Sequence, residues 1–418
     1  MFKKADISQL DYALDIRHSL VGAQMFFVAF GALVLVPLLT GMSSSVAMFT
    51  AGVGTLVFQI ITRGKVPIFL GSSFAFIAPI IHGSHLWGLP GTLCGLAATG
   101  LVYIAIGLMV RFQGPVIIQR LLPPIVTGPV IMVIGLSLAP VSIKMATGTD
   151  APIGITLEYY DAIIISMGAL VATILASLLG RGLIRLVPIL CGITVGYLIS
   201  IWYGIIDFSK IADAPWIAVP AFTFLEWNLD AILFIVPVAI APIIEHVGNV
   251  VAIGSITGRD YVKSPGLDKT LIGDGFSIMF ASSVGGPPNT TYSEVSGGIA
   301  LTRAFNPAVL TWAALSAICL AFVGKLSAFL GSIPPQVMGG IMILLFGAIV
   351  VVGMNTLVRA GDDLMRSRNL SIIAVVLVFG LGGMEFAAGT FSMRGIGLAG
   401  ITGLLLNLVL PIDKSGNG

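Results

Sequence analysis

Leu122-Pro-Pro-Ile-Val-Thr-Gly128 recurs as Ile333-Pro-Pro-Gln-Val-Met-Gly339, each at the head of a long apolar run, and the two lie half a chain apart in 418 residues. A helix-opening motif repeated at that spacing predicts a chain made of two similar halves. Working outward, the runs around it continue in both directions. A bilayer-spanning helix needs about 20 apolar residues. Leu20 to Leu39, Val46 to Thr62, Leu89 to Met109, Pro123 to Met145, Ala162 to Leu179 and Leu186 to Ile206 fit that template in the first half. Ile232 to Gly254, Pro307 to Phe322, Pro335 to Met354, Leu370 to Phe386 and Met393 to Val409 fit it in the second. Three weaker runs, Val66 to Ile81, Thr270 to Val284 and Asn289 to Thr302, are short or interrupted by Gly, Pro and polar residues.

Composition sets the class. Hydrophobic residues make up 57% of the chain and charged residues only 10%, with a mean hydropathy of +1.05, whereas soluble domains carry roughly 25% charged residues. The expectation is an all-α polytopic membrane protein embedded in a lipid bilayer. A formal net charge of +2, dispersed among short loops, argues against a nucleic-acid partner. Cys94, Cys191 and Cys319 lie singly in apolar segments, without the spacing of a disulfide framework or a zinc site, and read as small packing residues. Near the N-terminus, Asp11, Asp15 and Arg17 fall where a signal peptide needs its apolar core, so the first run is expected to remain as a span.

The basic residues decide whether the three weak runs count. With fourteen crossings, Lys3, Lys4, Arg17, Arg63, Lys65, Arg111, Arg120, Arg181, Arg185, Arg259, Lys263, Lys269, Arg303, Arg359, Arg366, Arg368 and Lys414 all fall on one side. Only Lys144, Lys210, Lys325 and Arg394 fall on the other. That is the bias of the positive-inside rule, and omitting one weak span would invert every later loop. Both termini are then cytoplasmic. Seven crossings per half is an odd number, so the second copy is inserted upside down. The Pro-Pro motifs open the fifth and twelfth spans, and the weak third and tenth occupy equivalent places. Inverted repeats of this kind hold substrate near the bilayer midplane with interrupted helices from both halves. Val66-Pro-Ile-Phe-Leu-Gly-Ser-Ser-Phe-Ala-Phe76 and Pro287-Pro-Asn-Thr-Thr-Tyr-Ser-Glu294 each begin extended and become helix-compatible. Irregular backbone at that depth must be buried in protein or line a cavity, and its free NH groups can bind ligand carbonyls or anions.

Two acids, Glu245 and Glu294, lie inside such spans. A charge at the bilayer centre costs about 2.5 to 3.5 kcal/mol on insertion scales, which marks both as candidates for a transport site. In Ile243-Ile-Glu-His-Val-Gly-Asn249, helical spacing puts Glu245 and Asn249 on one face and turns His246 about 100° away. Glu245 and Asn249 can therefore share a ligand, while His246 reads as a hydrogen-bonded helix histidine. The competing structural reading of Glu245 is a helix-tying ion pair, and that of Glu294 is a helix-start carboxylate favoured by the dipole. Asp274, in Gly-Asp-Gly, reads as a solvated or capping residue; Glu385, Asp362 and Asp363 read as loop or helix-end charges. Phe74, in the broken third span, is a candidate site aromatic. The sequence holds no GxxxxGK[ST], HExxH or GxSxG, so neither ATP as energy source nor membrane hydrolase chemistry is expected, and no metal or cofactor is called for.

At these residues the chain resembles the nucleobase/ascorbate transporter family, the second nucleobase:cation symporter family, and within it the bacterial uracil permease branch. Gly71-Ser-Ser-Phe-Ala-Phe-Ile-Ala-Pro79, Glu245-His-Val-Gly248, Pro288-Asn-Thr-Thr-Tyr-Ser-Glu294 and the run from Gly297 to Arg303 carry the resemblance, which extends over almost the whole chain. It implies a fourteen-helix, seven-plus-seven inverted repeat, often homodimeric. A core formed by residues 1–112 and 229–328 would move against a gate formed by residues 113–228 and 329–418. It implies that Glu245 and Glu294 hold the base, with backbone around Phe74 and Ser293 adding hydrogen bonds and Ser73, Tyr292 and Phe346 nearby. Three departures stand out. Asn249 replaces a histidine associated with proton coupling in the family, so a proton would have to ride on Glu245 or Glu294. Val295 stands where the signature has Asn, and Phe346 where similar permeases carry Tyr.

Uracil alternates NH donors with carbonyl acceptors, which matches two carboxylates and two helix starts. The expected function is import of uracil, or a close pyrimidine, with a proton across a bacterial inner membrane by alternating access. A xanthine or urate carrier is the nearest alternative. Sodium coupling stays open, since Asn249 and Glu245 offer oxygen ligands, and an anion exchanger or channel on the same fold is more remote because two acids disfavour an anion.

Overall fold

The computed structural model of the chain describes residues 8–149, 157–388 and 391–411, and of Gln119, Leu183, Ser293, Glu294, Ala387, Ala388, Phe391 and Ser392 the backbone only. Helix α1 (Ser19–Thr40) ends on Gly41 in the left-handed region, and α2 (Ser44–Ile61) follows at once. An extended stretch then carries strand β1 (Leu70–Ser72) into a 3-10 turn (Phe74–Phe76) and α3 (Ile77–Gln113). At Gly88, with φ 69° and ψ 171°, α3 breaks into two helices; Pro90 follows, whose ring suits a helix start and not a helix interior.

Short α4 (Val116–Leu121) leads to α5 (Pro124–Thr147), α6 (Tyr159–Leu179), α7 (Leu183–Leu186), α8 (Pro188–Trp202) and α9 (Ser209–Asp213). The second half opens with α10 (Leu229–Ile235), a 3-10 turn at Val236–Ala239 and α11 (Ile240–Thr257), then α12 (Leu267–Ser283), β2 (Asn289–Thr291) and α13 (Ser293–Thr302). It closes with α14 (Ala308–Ala321), α15 (Gly324–Gly331), α16 (Pro335–Ala360), α17 (Ser367–Leu381), the hairpin of β3 (Glu385–Ala388) and β4 (Phe391–Arg394), and α18 (Gly395–Val409). Among the described residues, seven helical segments are long and apolar enough to cross a membrane, and four further apolar helices are shorter.

Two of the three weak runs, Val66 to Ile81 and Asn289 to Thr302, become strand followed by helix, as their Gly, Pro and polar content leads one to expect, while the third, Thr270 to Val284, forms most of the continuous helix α12. The first two meet each other: β1 and β2 pair antiparallel with Leu70 opposite Thr291, Gly71 opposite Thr290 and Ser72 opposite Asn289. Buried backbone groups in the bilayer interior need partners, and each broken segment supplies them to the other. Elsewhere the closest packing joins α5 to α16, α3 to α12, α2 to α14, α6 to α8 and α17 to α18, with α12 also against α2, α14 against α1, α10 against α3, α16 against α6 and α17 against α5.

The Pro-Pro motif has the same packing role in both copies. Gly128, near the start of α5, lies where a Cβ would stand 2.6 Å from Leu357 Cγ and 3.0 Å from the Gly353 carbonyl, near the end of α16. Gly339, near the start of α16, lies where a Cβ would stand 2.3 Å from the Ala146 nitrogen, near the end of α5. Small residues permit such close crossing in a membrane, where lipid supplies no hydrophobic drive for helix association.

Three expectations require correction. The run Leu370 to Phe386 was expected as one span, but the helix ends at Leu381, Gly383 turns with φ 72°, and Glu385 begins β3; two successive glycines break the helix and the segment beyond them finds a strand partner. Glu385 is accordingly a strand residue and not a helix-end charge. Asp274 is fully buried, because Gly273 and Gly275 are interior packing positions of α12 and not a cap. Cys319 is exposed on α14, whereas Cys94 is buried.

Candidate functional site

A cavity of about 520 Å³ begins beside Glu245 and runs to the end of the molecule that carries α4 and Arg359. One wall is Phe74 and Ala75 at the first broken segment together with Glu245, Gly248 and Asn249 of α11; the facing wall is Thr127, Ile131 and Ile134 of α5 and Asn355 and Thr356 of α16. Its lining is otherwise apolar, so polar groups converge at few points, the usual character of a small-molecule site. Helical periodicity places the α11 residues as expected: Glu245 is half-buried on the cavity side and Asn249 follows one turn later on the same face.

His246 turns away into the protein. It is fully buried, with Nδ1 2.8 Å from Asp274 Oδ2 and Nε2 2.9 Å from Thr270 Oγ1. This agrees with the reading of a hydrogen-bonded helix histidine, and its partner is the acid that the sequence had assigned to solvent. The Thr291 backbone N–H is directed at the same carboxylate. From the other side the Asn249 amide donates to the Thr291 carbonyl at 2.9 Å and to its hydroxyl at 3.2 Å. Strand β2 is thus held between α11 and α12 immediately before the helix that opens with Ser293 and Glu294.

The first broken segment is fixed with comparable care. Tyr292 donates its hydroxyl to the Ser72 carbonyl at 2.7 Å and its backbone N–H to the Phe69 carbonyl at 3.1 Å, while Ser73 N–H donates to the Pro288 carbonyl at 2.9 Å. The rings of Phe74 and Tyr292 stack with 16° between planes and 6.4 Å between centroids. Gly71 is required here, since a Cβ would lie 2.6 Å from the Tyr292 ring. The starts of the two half-helices are therefore held together beside Glu245.

Of the residues singled out in the sequence, the structure brings Glu245, Asn249 and Phe74 into one cavity. Tyr292 and Ser73 sit directly behind, both buried, and the Ser73 hydroxyl has no hydrogen-bond partner among the described residues. Phe346 is 1% exposed, packed where α16 crosses α5 near Gly135, and is not among the residues lining the cavity. The side chains of Ser293 and Glu294 lie outside the described residues. Sequence reasoning missed Thr291, the strand residue gripped by Asn249, and the α16 residues Asn355, Thr356 and Arg359. Thr291 was signalled by its place in the broken tenth run; the α16 residues sit at helical spacing in an apolar span that reads as ordinary until it is seen to face a cavity.

Two broken helices crossing beside a half-buried acid, with a cavity leading from that acid to one end of a many-helix membrane protein, form the architecture of a transporter. Comparison with known proteins makes the class specific. The sequence profile of a permease family, the xanthine/uracil permeases, matches residues 17–389, and the chain belongs to that family. It is 52% identical over 400 residues to the "Probable uracil permease" of Haemophilus influenzae, covering 96% of each chain. It is 42% identical over 396 residues to the uracil permease of Bacillus caldolyticus, covering 93% of this chain and 90% of that one. The transmembrane domain of a cyanobacterium bicarbonate transporter, BicA, shares the fold with a TM-score of 0.62 at 14% identity, over 96% of this chain and all of that one.

Proposed function

We propose that the chain imports uracil, or a close pyrimidine base, together with a proton, by alternating access across the inner membrane of a bacterium. The observation that carries this reading is the convergence of the Glu245 carboxylate with the starts of two half-helices at the head of a cavity. A carboxylate accepts from a ring NH and the half-helix NH groups donate to ring carbonyls; such charge-assisted bonds are the stronger kind. The uracil permeases that match the chain from end to end supply the base. Glu294, at the second half-helix, is assigned as the partner acid.

The packing supports seven-plus-seven inverted repeats. If the strong interhelix contacts are mapped by exchanging the halves, α2 with α14 becomes the second part of α3 with α12, α14 with α1 becomes α3 with α10, α6 with α8 becomes α17 with α18, and α16 with α6 becomes α5 with α17. The pairs α5 with α16, α2 with α12 and β1 with β2 map onto themselves. Fourteen crossings follow once α3 counts twice. We assign residues 1–112 and 229–328 to a core and 113–228 and 329–418 to a gate, with the cavity between them open to the cytoplasm, both termini on that side, and the protein as a homodimer. We assign proton coupling to the same acids, with Glu245 and Glu294 as the proton carriers in place of the histidine that Asn249 replaces.

The test is uptake of labelled uracil into proteoliposomes with and without an inward proton gradient, with xanthine, urate and thymine as competitors. Gradient-stimulated uptake blocked only by pyrimidines, and lost in Glu245→Gln, is expected. Block by xanthine would move the substrate to purines, and dependence on sodium in place of protons would overturn the coupling.

A further inference from the structure

A second cavity of about 520 Å³ lies at the opposite end of the molecule from the one leading to Glu245. It is walled by Ala78, Pro79 and His82 of α3 and Phe234 of α10 on one side, and by Ser137 of α5 and Arg394 before α18 on the other. The two cavities nearly meet. Along the broken segment one ends at Ala75 and the other begins at Ala78; along α5 one ends at Ile134 and the other begins at Leu136. Side chains from the core and gate assignments touch across the second cavity at one charged contact, in which the Arg394 guanidinium donates from Nη2 to His82 Nδ1. Arg394 is also one of only four basic residues on the side that the charge bias leaves nearly free of them.

The chemistry of this contact depends on protonation. A neutral imidazole accepts at Nδ1 only when its proton is on Nε2. Protonation at Nδ1 removes the acceptor and leaves two cations in contact. The surroundings are accounted for: His85 lies one turn along the same helix, Glu385 stands opposite Arg394 in the hairpin register, Phe234 of α10 packs on the imidazole at 5.2 Å, and α5 presents Ser137 and Pro140, neither of which titrates. Glu385 attracts a protonated His82, but Arg394 is in direct contact, and the nearer charge dominates.

We propose that His82 and Arg394 are the outer latch of this carrier, closed while His82 is neutral and released when a proton from the outside occupies Nδ1. The proposal rests on alternating access between the core and the gate. Release would open the second cavity when the external solution is acidic, the condition in which an inward proton gradient favours loading, so the latch biases the carrier outward at the moment when import is driven.

The test is labelling of Ser137→Cys by a membrane-impermeant maleimide in intact cells, in a background with Cys94, Cys191 and Cys319 replaced by alanine. His82→Gln keeps an acceptor for Arg394 but cannot titrate, so it cancels the intrinsic pH dependence of the thiol. The labelling ratio of the His82 protein to the Gln variant should rise about threefold or more between about pH 8 and about pH 4.5, a range carried below that of a free histidine because burial and the Arg394 cation both oppose protonation of His82. Arg394→Ala and His82→Ala, which remove the contact from either side, should each label fast at every pH relative to the Gln variant. A flat ratio, or Ala variants labelled no faster than the His82 protein at pH 8, would overturn the latch. Uptake of uracil in the same cells is scored separately: if it is absent while labelling behaves as described, the substrate assignment fails and the latch stands.

Discussion

Asn249 shows how a single residue can be read correctly for position and incompletely for role. Helical spacing placed it beside Glu245, where it is, but its amide is spent on Thr291 at 2.9 and 3.2 Å, so it fixes the strand that leads into the second half-helix. Asn249→Ala leaves the Thr291 carbonyl without that donor. An unmade buried hydrogen bond costs about 1 to 3 kcal/mol, so uracil affinity measured by calorimetry on the purified protein should fall roughly tenfold or more at about 1.4 kcal/mol per decade. Unchanged affinity would mean that the strand holds itself. Behind it, the buried His246 and Asp274 pair makes a stability prediction. Removing one member of a buried pair costs about 3 to 5 kcal/mol, whereas replacing both with apolar residues is often nearly neutral. His246→Leu should therefore lower the melting temperature in detergent more than the His246→Leu, Asp274→Leu double substitution does; a double variant that melts below the single one would refute that account of the pair. The Asp274 partner was not legible in the sequence because a glycine-flanked aspartate looks like a cap until a histidine from another helix is brought to 2.8 Å.

At the scale of elements, the sequence was most readable where composition conflicted with the environment it predicted. Gly, Pro and polar residues inside apolar runs marked both broken segments, and both are strand followed by helix. The hairpin between α17 and α18 was not legible, since Phe386 and its neighbours are as apolar as a helix end and only the pairing with β4 distinguishes them. The Pro-Pro repeat yields a prediction specific to helix packing. On α16, a Cβ at Gly339 meets the backbone of Ala146 at 2.3 Å, while at Gly347 it meets nothing within 4 Å. Gly339→Val and Gly347→Val carry the same loss of flexibility and the same β-branching, so they differ only in what the side chain hits. Gly339→Val should lower the yield of monodisperse protein on size exclusion and reduce the melting temperature, consistent with overpacking penalties of about 1 to 3 kcal/mol or more. Gly347→Val should stay near the parent. Equal behaviour of the two would show that the α5 and α16 contact has room that the glycines do not reveal.

For the whole molecule the question is which surfaces slide. Helix α18 packs with Gly397 and Gly400 against the 3-10 turn and the start of α11: a Cβ at Gly397 would meet Pro237 Cβ at 3.2 Å, and one at Gly400 would meet Ile240 Cβ at 3.4 Å. These glycines bring an assigned gate helix against an assigned core helix with no bulky side chain between them, a contact suited to small relative movement. If the core moves against the gate, this contact must change in every transport cycle. The separation at Ile240 and Gly400 is close to the Cβ spacing of about 3.5 to 4.5 Å that a disulfide requires. In a background lacking Cys94, Cys191 and Cys319, oxidation of Ile240→Cys, Gly400→Cys should therefore cross-link the two helices. Uptake into proteoliposomes should fall in proportion to the cross-linked fraction and return on reduction, while either single cysteine variant remains insensitive to oxidant. Uptake that persists in fully cross-linked protein would place the moving boundary elsewhere, and the division into residues 1–112 with 229–328 against 113–228 with 329–418 would have to be redrawn around it.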